Sequence, residues 1–325
     1  MSVREPLVGG LDVGGTKILG RVLDPHDPRA TVAEVRVGTP RGAAAILDAI
    51  AEVVARLQAA PAVRERGELA AVGVGMPGLV DRRGVLRFAP NLPGVAELAV
   101  GPALSERLGL PVVVDNDANC AAWCEFRLGA AFGVRDVVLV TLGTGIGAGI
   151  IADGRLYEGA NGFAGEPGHM VVDPSGPPCP CGRRGCWERF ASGSGLGRLG
   201  RDAAAAGRAP AVVALAGGDP EGVRGEHVTE AALGGDADAL GILREFAWWV
   251  ALGLANLVDL LDCELIVVGG GLADAGEHLL EPVRTAFHSL VLASDHRPPV
   301  PVVGAALGPE AGAIGAALLA SERLV

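Results

Sequence analysis

The sequence predicts an α/β protein built from a duplicated half, and three observations carry that prediction. Short apolar runs that read as strands alternate with segments whose apolar residues recur every three or four positions, from one end of the chain to the other. A glycine-tipped hairpin opens twice, at Gly14-Gly15 and again at Gly143 to Gly147, and each starts a mixed set of strands and helices. At roughly 150 residues per domain, 325 residues make two domains of ordinary size. A smaller α/β domain over residues 1–118, joined by a C-terminal helix over about 305–325, and a larger one over 119–304 are expected. A central cleft between the halves would follow.

Taken in order, Leu7 to Asp24 gives two strands around the first glycine turn, Ala43 to Leu57 a helix, and Leu69 to Val74 a buried strand ending at Gly75-Met76-Pro77-Gly78. Asp81 to Arg87 is turn-like and Val100 to Leu108 helical. Val112 to Val114 is a strand running into Asp115-Asn116-Asp117-Ala118-Asn119, and Cys120 to Leu128 is a helix. From Val137 a strand enters TLGTGIGAG and leaves as a second strand that turns at Asp153-Gly154. Ser192 to Asp238 holds helical pieces, with an Ala-rich part (203–218) readable as a lid or an oligomer surface. Ala239 to Leu261 is a long apolar helix. Leu265 to Val268 is a strand ending at Gly269-Gly270-Gly271, and the strand Val300 to Val303 and the helix Ala311 to Leu318 close the pattern.

Composition narrows the function classes. Apolar residues at 50% and charged residues at 20% are the mix of a folded chain, and 50 Gly with 22 Pro imply many tight turns. A net charge of −11 argues against nucleic acid as a partner, because phosphate affinity comes from clustered Lys and Arg. The longest uncharged run, Val137 to Ala152, is broken by four glycines and is too short to span a membrane, and no apolar stretch suited to a signal peptide precedes Asp12. A cytoplasmic protein is expected, with no membrane partner and with cysteines serving as thiols or metal ligands.

Glycines let a backbone come within hydrogen-bonding distance of an anion. Asp12-Val13-Gly14-Gly15-Thr16-Lys17 adds a carboxylate suited to Mg2+, a hydroxyl and an ammonium. The strand that follows, and the order Thr-Lys, separate it from a Walker loop. Gly143-Thr144-Gly145 sits in a second such turn, again followed by strand, so no helix start is available there for a pyrophosphate. An ordinary hairpin would explain either turn alone; the two together, with hydroxyls in both and the third cluster at Gly269, Gly270 and Gly271, point to phosphate. The third cluster is also readable as a plain strand-to-helix turn.

Asp115 and Asp117 would share one face if the strand continued, with Asn116 and Asn119 beside them. Helix capping accounts for Asp117 taken alone. Four such residues in five exceed a cap, and a carboxylate that accepts a hydroxyl proton is what phosphoryl transfer to an alcohol requires, which makes Asp117 the candidate base. His169 with Cys179, Cys181 and Cys186 completes a tetrahedral zinc set with no place for water, hence a structural ion. Such an ion would fix a loop carrying Glu166 and Glu188, which suit sugar hydroxyls and are otherwise surface charge. Cys120, Cys124 and Cys263 read as small core residues.

The strings DVGGTK (12–17), GMPGLVD (75–81), APNLPG (89–94), VDNDANCAAWCE (114–125), TLGTGIGAG (141–149), GEPGHM (165–170), CPCGRRGCWE (179–188) and VVGGGLA (267–273) resemble the repressor/ORF/kinase (ROK) group of sugar kinases, and within it the bacterial glucokinases. The resemblance implies an actin-like, hexokinase-type (ribonuclease H-like) fold, working as a homodimer or homotetramer. It implies ATP- and Mg2+-dependent phosphorylation of a hexose 6-hydroxyl, glucose above all, with N-acylhexosamines as the alternative. Asp117 would be the base. Gly78, Asn91, Asn116, Glu166, His169 and Glu188 would meet the sugar, and Gly14, Gly15, Thr16, Lys17, Thr144 and Gly145 the phosphates. Gly269 to Gly271 would meet the adenosine. Repressors of this group carry a DNA-reading helix-turn-helix ahead of the kinase body, and here the phosphate turn already begins at Asp12, so a sugar sensor is the disfavoured rival.

Overall fold

The computed structural model describes residues 6–324. Residues 1–5 and 325, on which part of the amino-terminal reading and the tip of the expected last helix fall, lie outside the described residues. In chain order the first elements are β1 (Leu7–Val13), β2 (Lys17–Asp24), β3 (Asp27–Gly38), α1 (Ala43–Ala59), α2 (Pro61–Arg66), β4 (Leu69–Met76), β5 (Leu79–Val80), β6 (Leu86–Phe88), β7 (Ala96–Leu98), α3 (Val100–Leu108), β8 (Val112–Asn116) and α4 (Asp117–Leu128). The rest are β9 (Val137–Leu142), β10 (Ile146–Ala152), β11 (Arg155–Leu156), α5 (Glu188–Ala191), α6 (Gly193–Ala205), α7 (Pro210–Leu215), α8 (Gly225–Leu233), α9 (Ala237–Leu261), β12 (Leu265–Gly269), α10 (Glu277–Leu290), β13 (Val302–Gly304) and α11 (Ala311–Leu324).

Among the described residues there are two five-stranded sheets of the same design. Their orders are β3-β2-β1-β4-β8 and β11-β10-β9-β12-β13. In each, the three hairpin-linked strands come first and two later strands join as parallel neighbours, β4 and β8 in one, β12 and β13 in the other. The duplication read from the glycine turns is therefore a repeat of topology. Register places Asp12 opposite Gly75, and Gly75 opposite Asp115, so two acids lie in one cross-strand row on the strands that flank β4.

Two compact units result. The first holds the described residues up to Gly133, with Gly149–Gly165 and Ala306 onward; the second holds Val134–Ala148 and Glu166–Ala305. The chain thus leaves the first unit after α4, later than the expected break at residue 118. The reason is packing: a Cβ on Gly315 of α11 would fall on the Cys120 carbonyl, so α4 and α11 touch backbone to backbone. The same helix lies on β1 and β4, where a Cβ on Gly10 or Gly73 would strike the Ala313 or Ala316 carbonyl. Its small-residue run, buried from Ala311 to Ala320, is what permits so close an approach.

Three features depart from the sequence reading. β3 is a 12-residue strand, antiparallel to β2, where none is expected. The expected turn at Asp81 is present, with Asp81 Oδ1 accepting from the Arg83 and Val85 N–H groups, but short strands β5, β6 and β7 flank it as a small sheet. The last helix continues past Leu318 to Leu324. In the second unit α9 is long and apolar enough to cross a membrane, yet Phe246, Val250, Leu254 and Val258 are fully buried in that unit's core. Gly253 leaves a notch on α9 for the ring of Trp187, whose Nε1 donates to the Trp249 carbonyl at 2.7 Å.

Candidate active site

In the first unit the β1–β2 turn is closed by the Gly14 N–H donating to the Lys17 carbonyl at 2.8 Å, and Thr39 Oγ1 donates to the Gly14 carbonyl at 2.7 Å. Gly15, Thr16 and Lys17 are left exposed at the tip. A Cβ on Gly15 would come within 3.1 Å of the Asn91 carbonyl, so the turn and the Asn91 loop are neighbours. Asp12 lies against the first turn of α11, where Gly312 has room only for hydrogen, a Cβ there being 2.9 Å from Asp12 Cγ. Burial pushes the Asp12 carboxyl up to about 6, while the Lys17 ammonium pulls the other way. A half-enclosed carboxylate beside a polar glycine turn has the chemistry of a site for a hard cation.

β8 ends at Asn116 and α4 begins at Asp117, so Asp115 and Asp117 do not share a strand face. The cap is Asn116, not Asp117: its Oδ1 accepts from the Ala118 and Asn119 N–H groups at 2.8 and 3.1 Å. Its Nδ2 donates to the Gly78 carbonyl at 3.1 Å, which brings Gly78 to the same junction. Gly78 has φ 104° and no space for a side chain against the Phe88 carbonyl. Asp117 stands half-buried in the first turn of α4, its Oδ1 accepting from the Ala118 N–H at 2.8 Å.

In the second unit the β9–β10 turn is closed by the Gly143 N–H donating to the Gly145 carbonyl at 3.0 Å, with Thr144 exposed at its tip. Strand follows the turn, as expected. A helix start is nevertheless present, because the N–H of Gly193, first residue of α6, donates to the Gly143 carbonyl at 2.8 Å. The fold supplies from fifty residues away, along the chain, what the local sequence withholds. Gly270, at φ 82°, packs on the Leu142 backbone, so the third glycine cluster adjoins the second turn; Gly269 is buried and Gly271 opens outward.

His169, Cys179, Cys181 and Cys186 come together, their ligand atoms all within 4.8 Å of one another. Cys181 Sγ and Cys186 Sγ are 3.5 Å apart and Cys179 Sγ is 3.8 Å from His169 Nδ1. Thiolates about 2.3 Å from a tetrahedral ion set sulfur–sulfur edges of about 3.8 Å, which this spacing fits. No disulfide joins these residues. The loop is seated by the Trp187 N–H donating to the Met170 carbonyl at 2.7 Å and by Gly168 pressed on the Ile146 carbonyl. Glu188, which opens α5, lies 3.9 Å from His169 Nδ1, and a Cβ on Gly145 would come 3.0 Å from its Oε2. Burial, and next the Glu188 charge, push Glu166 up to about 7. Glu166, His169, Glu188 and the second glycine turn thus form one cluster.

Sequence reasoning missed the ion cluster behind Asp117. Arg323 Nη2 donates to Asp115 Oδ2 at 2.9 Å and to Glu158 Oε1 at 3.0 Å. It also missed buried Glu125, which accepts from the Ala130 and Leu307 N–H groups. Separations of 208 and 182 residues leave no local signal for either.

Comparison with known proteins identifies the family. The ROK family matches residues 8–323. A glucokinase from Streptomyces coelicolor is 42% identical over 96% of this chain and 97% of its own. An N-acetylmannosamine kinase from Citrobacter koseri is 33% identical over 91% of this chain and 96% of its own. A crystal structure of a ROK family glucokinase from Streptomyces griseus, in complex with glucose and AMPPNP, superposes with a TM-score of 0.86 at 42% identity, covering 97% of this chain and 99% of that one. The fold is the actin-like α/β fold expected from the sequence, and the chain belongs to the ROK family.

Proposed function

We propose that this protein transfers the terminal phosphoryl group of ATP to the 6-hydroxyl of a hexose, glucose foremost. The observation that carries the reading is the junction at Asp117: a half-buried carboxylate in the first turn of α4, directly after β8, which shares a sheet with the strand that leads into the Asp12 glycine turn. The glucose and AMPPNP bound by the Streptomyces griseus relative support the substrate pair. Asp117 accepts the proton of the hydroxyl as its oxygen bonds to phosphorus and ADP departs. Asn116 and Gly78, already tied to each other, with Asn91, Glu166, His169 and Glu188, are assigned to the sugar. Gly14, Gly15, Thr16 and Lys17, with Gly143, Thr144 and Gly145, receive the phosphates, and Gly269 to Gly271 the adenosine.

Asp12 would hold Mg2+, which supplies charge neutralisation on the phosphates. His169, Cys179, Cys181 and Cys186 would hold zinc, which supplies rigidity to the loop bearing Glu188. The reading includes a cytoplasmic setting, where ATP and free thiols coexist, and assembly as a homodimer or homotetramer, as the family resemblance implies. N-acylhexosamines form the second substrate class, favoured by the Citrobacter koseri relative. A coupled assay with Mg-ATP across glucose, mannose, fructose, N-acetylglucosamine and N-acetylmannosamine tests it. Glucose turnover is expected, falling about 10²- to 10⁴-fold in Asp117→Asn with sugar affinity by calorimetry retained. Sugar binding with no turnover in the parent protein would support a sensor and defeat the kinase reading.

A further inference from the structure

Arg323, near the end of α11, belongs to none of the motifs. Asp115, which it bonds, is buried, and a buried carboxylate deprived of its counter-charge keeps an uncompensated charge. The other oxygen of Asp115, Oδ1, accepts from the Asn116 N–H at 2.8 Å and from Asn119 Nδ2 at 2.8 Å. Asp115 is therefore a hub. One oxygen is anchored by Arg323, and the other grips the residue before Asp117 and a residue inside the first turn of α4.

We infer that Arg323 is a positioning residue: acting through Asp115, it holds the Asn116–Asp117 junction so that the Asp117 carboxylate keeps its working orientation. The inference rests on the kinase reading. Two observations distinguish it from an ordinary surface ion pair. Arg323 bridges two carboxylates, Asp115 and Glu158, and without it these would face each other unpaired; burial and the Asp115 charge already raise Glu158 above the usual carboxylate range. Repulsion between the two carboxylates would pull Asp115 away from Asn116 and Asn119. Its carrier, α11, also meets β4 and α4 backbone to backbone at Gly73 and Gly315, so the guanidinium is delivered from a support with no slack.

The test is a double-mutant cycle on kcat with Arg323→Met, Asp115→Asn and the pair, beside Arg323→Lys. Arg323→Met is expected to lower kcat by about 10²-fold, the cost of a small misplacement, with nucleotide KM little changed. The pair should lose no more than the worse single variant, because both act on one hub, and Arg323→Lys should recover much of the rate. Losses that multiply, or a kcat unchanged in Arg323→Met, overturn the inference. Should Arg323→Met fail to fold, Arg323→Gln takes its place in the cycle. Amide hydrogen exchange gives a second readout: Asn116, Ala118 and Asn119 should lose protection in the Arg323 variant while β9 keeps it. Unchanged protection overturns the inference whether or not the protein turns over sugar. A parent protein inactive on every hexose defeats the kinase reading instead.

Discussion

At the Asp117 junction two neighbours meet the same helix start: Asn116 accepts from the Ala118 and Asn119 N–H groups, and Asp117 Oδ1 accepts from Ala118 as well. Replacing Asn116 by Ala is expected to cost about 1 kcal/mol as a lost cap, and also to lower sugar affinity because Gly78 loses its tether; urea titration and calorimetry separate the two. Asp12 carries a pH signature. Its carboxyl titrates near 6 when folded against 3.8 ordinarily, so the folded state binds the proton more tightly and ionised Asp12 opposes folding. That penalty is complete above about 6 and disappears as the pH falls toward 3.8. Asp12→Asn should therefore be more stable than the parent at pH 7.5, with the gap closing near pH 4, while losing Mg-ATP turnover; denaturant midpoints against pH check the sign. The residue identities DVGGTK and NDAN were readable because spacing reveals local chemistry. Arg323 and Glu158 were not, because ion pairs across a whole chain leave no periodic trace.

At the scale of elements, glycine is where the fold spends its tolerance. Gly253 admits the Trp187 ring into α9, and Trp187 stands between Cys186, a candidate metal ligand, and Glu188. Gly253→Ala should cost about 1–3 kcal/mol by overpacking and lower metal retention, read by elemental analysis after dialysis; full stability and metal would contradict the packing argument. The hairpins and the helices α1, α3, α4 and α9 were legible because apolar period and turn glycines agree there. β3 was not, since its exposure alternates and charged residues and Pro28 break its apolar signal. β5 to β7 are two or three residues long, too short for any period to register. The α6 start at Gly143 was invisible for another reason: only tertiary folding brings Gly193 there.

At the scale of the whole molecule, the described residues form two cores, one per unit, and the four candidate metal ligands found among them all lie in the second. If zinc occupies these four residues as proposed, its removal should subtract stability from the second unit and spare the first. Calorimetry with and without a chelator is expected to show one transition moved down and the other held, and Cys181→Ser should reproduce the chelated trace; equal displacement of both would contradict separate cores. The duplication itself was legible from two glycine turns, while the point where the chain changes units was not, because it depends on α4 meeting α11.

That meeting has a consequence for synthesis. The sheet of β1 to β4 and β8 is made first, and its Gly10 and Gly73 surface packs against α11, which leaves the ribosome after the entire second unit. Until then the nascent amino-terminal half carries an uncovered apolar face, a natural foothold for a chaperone, and its maturation waits on the distant partner.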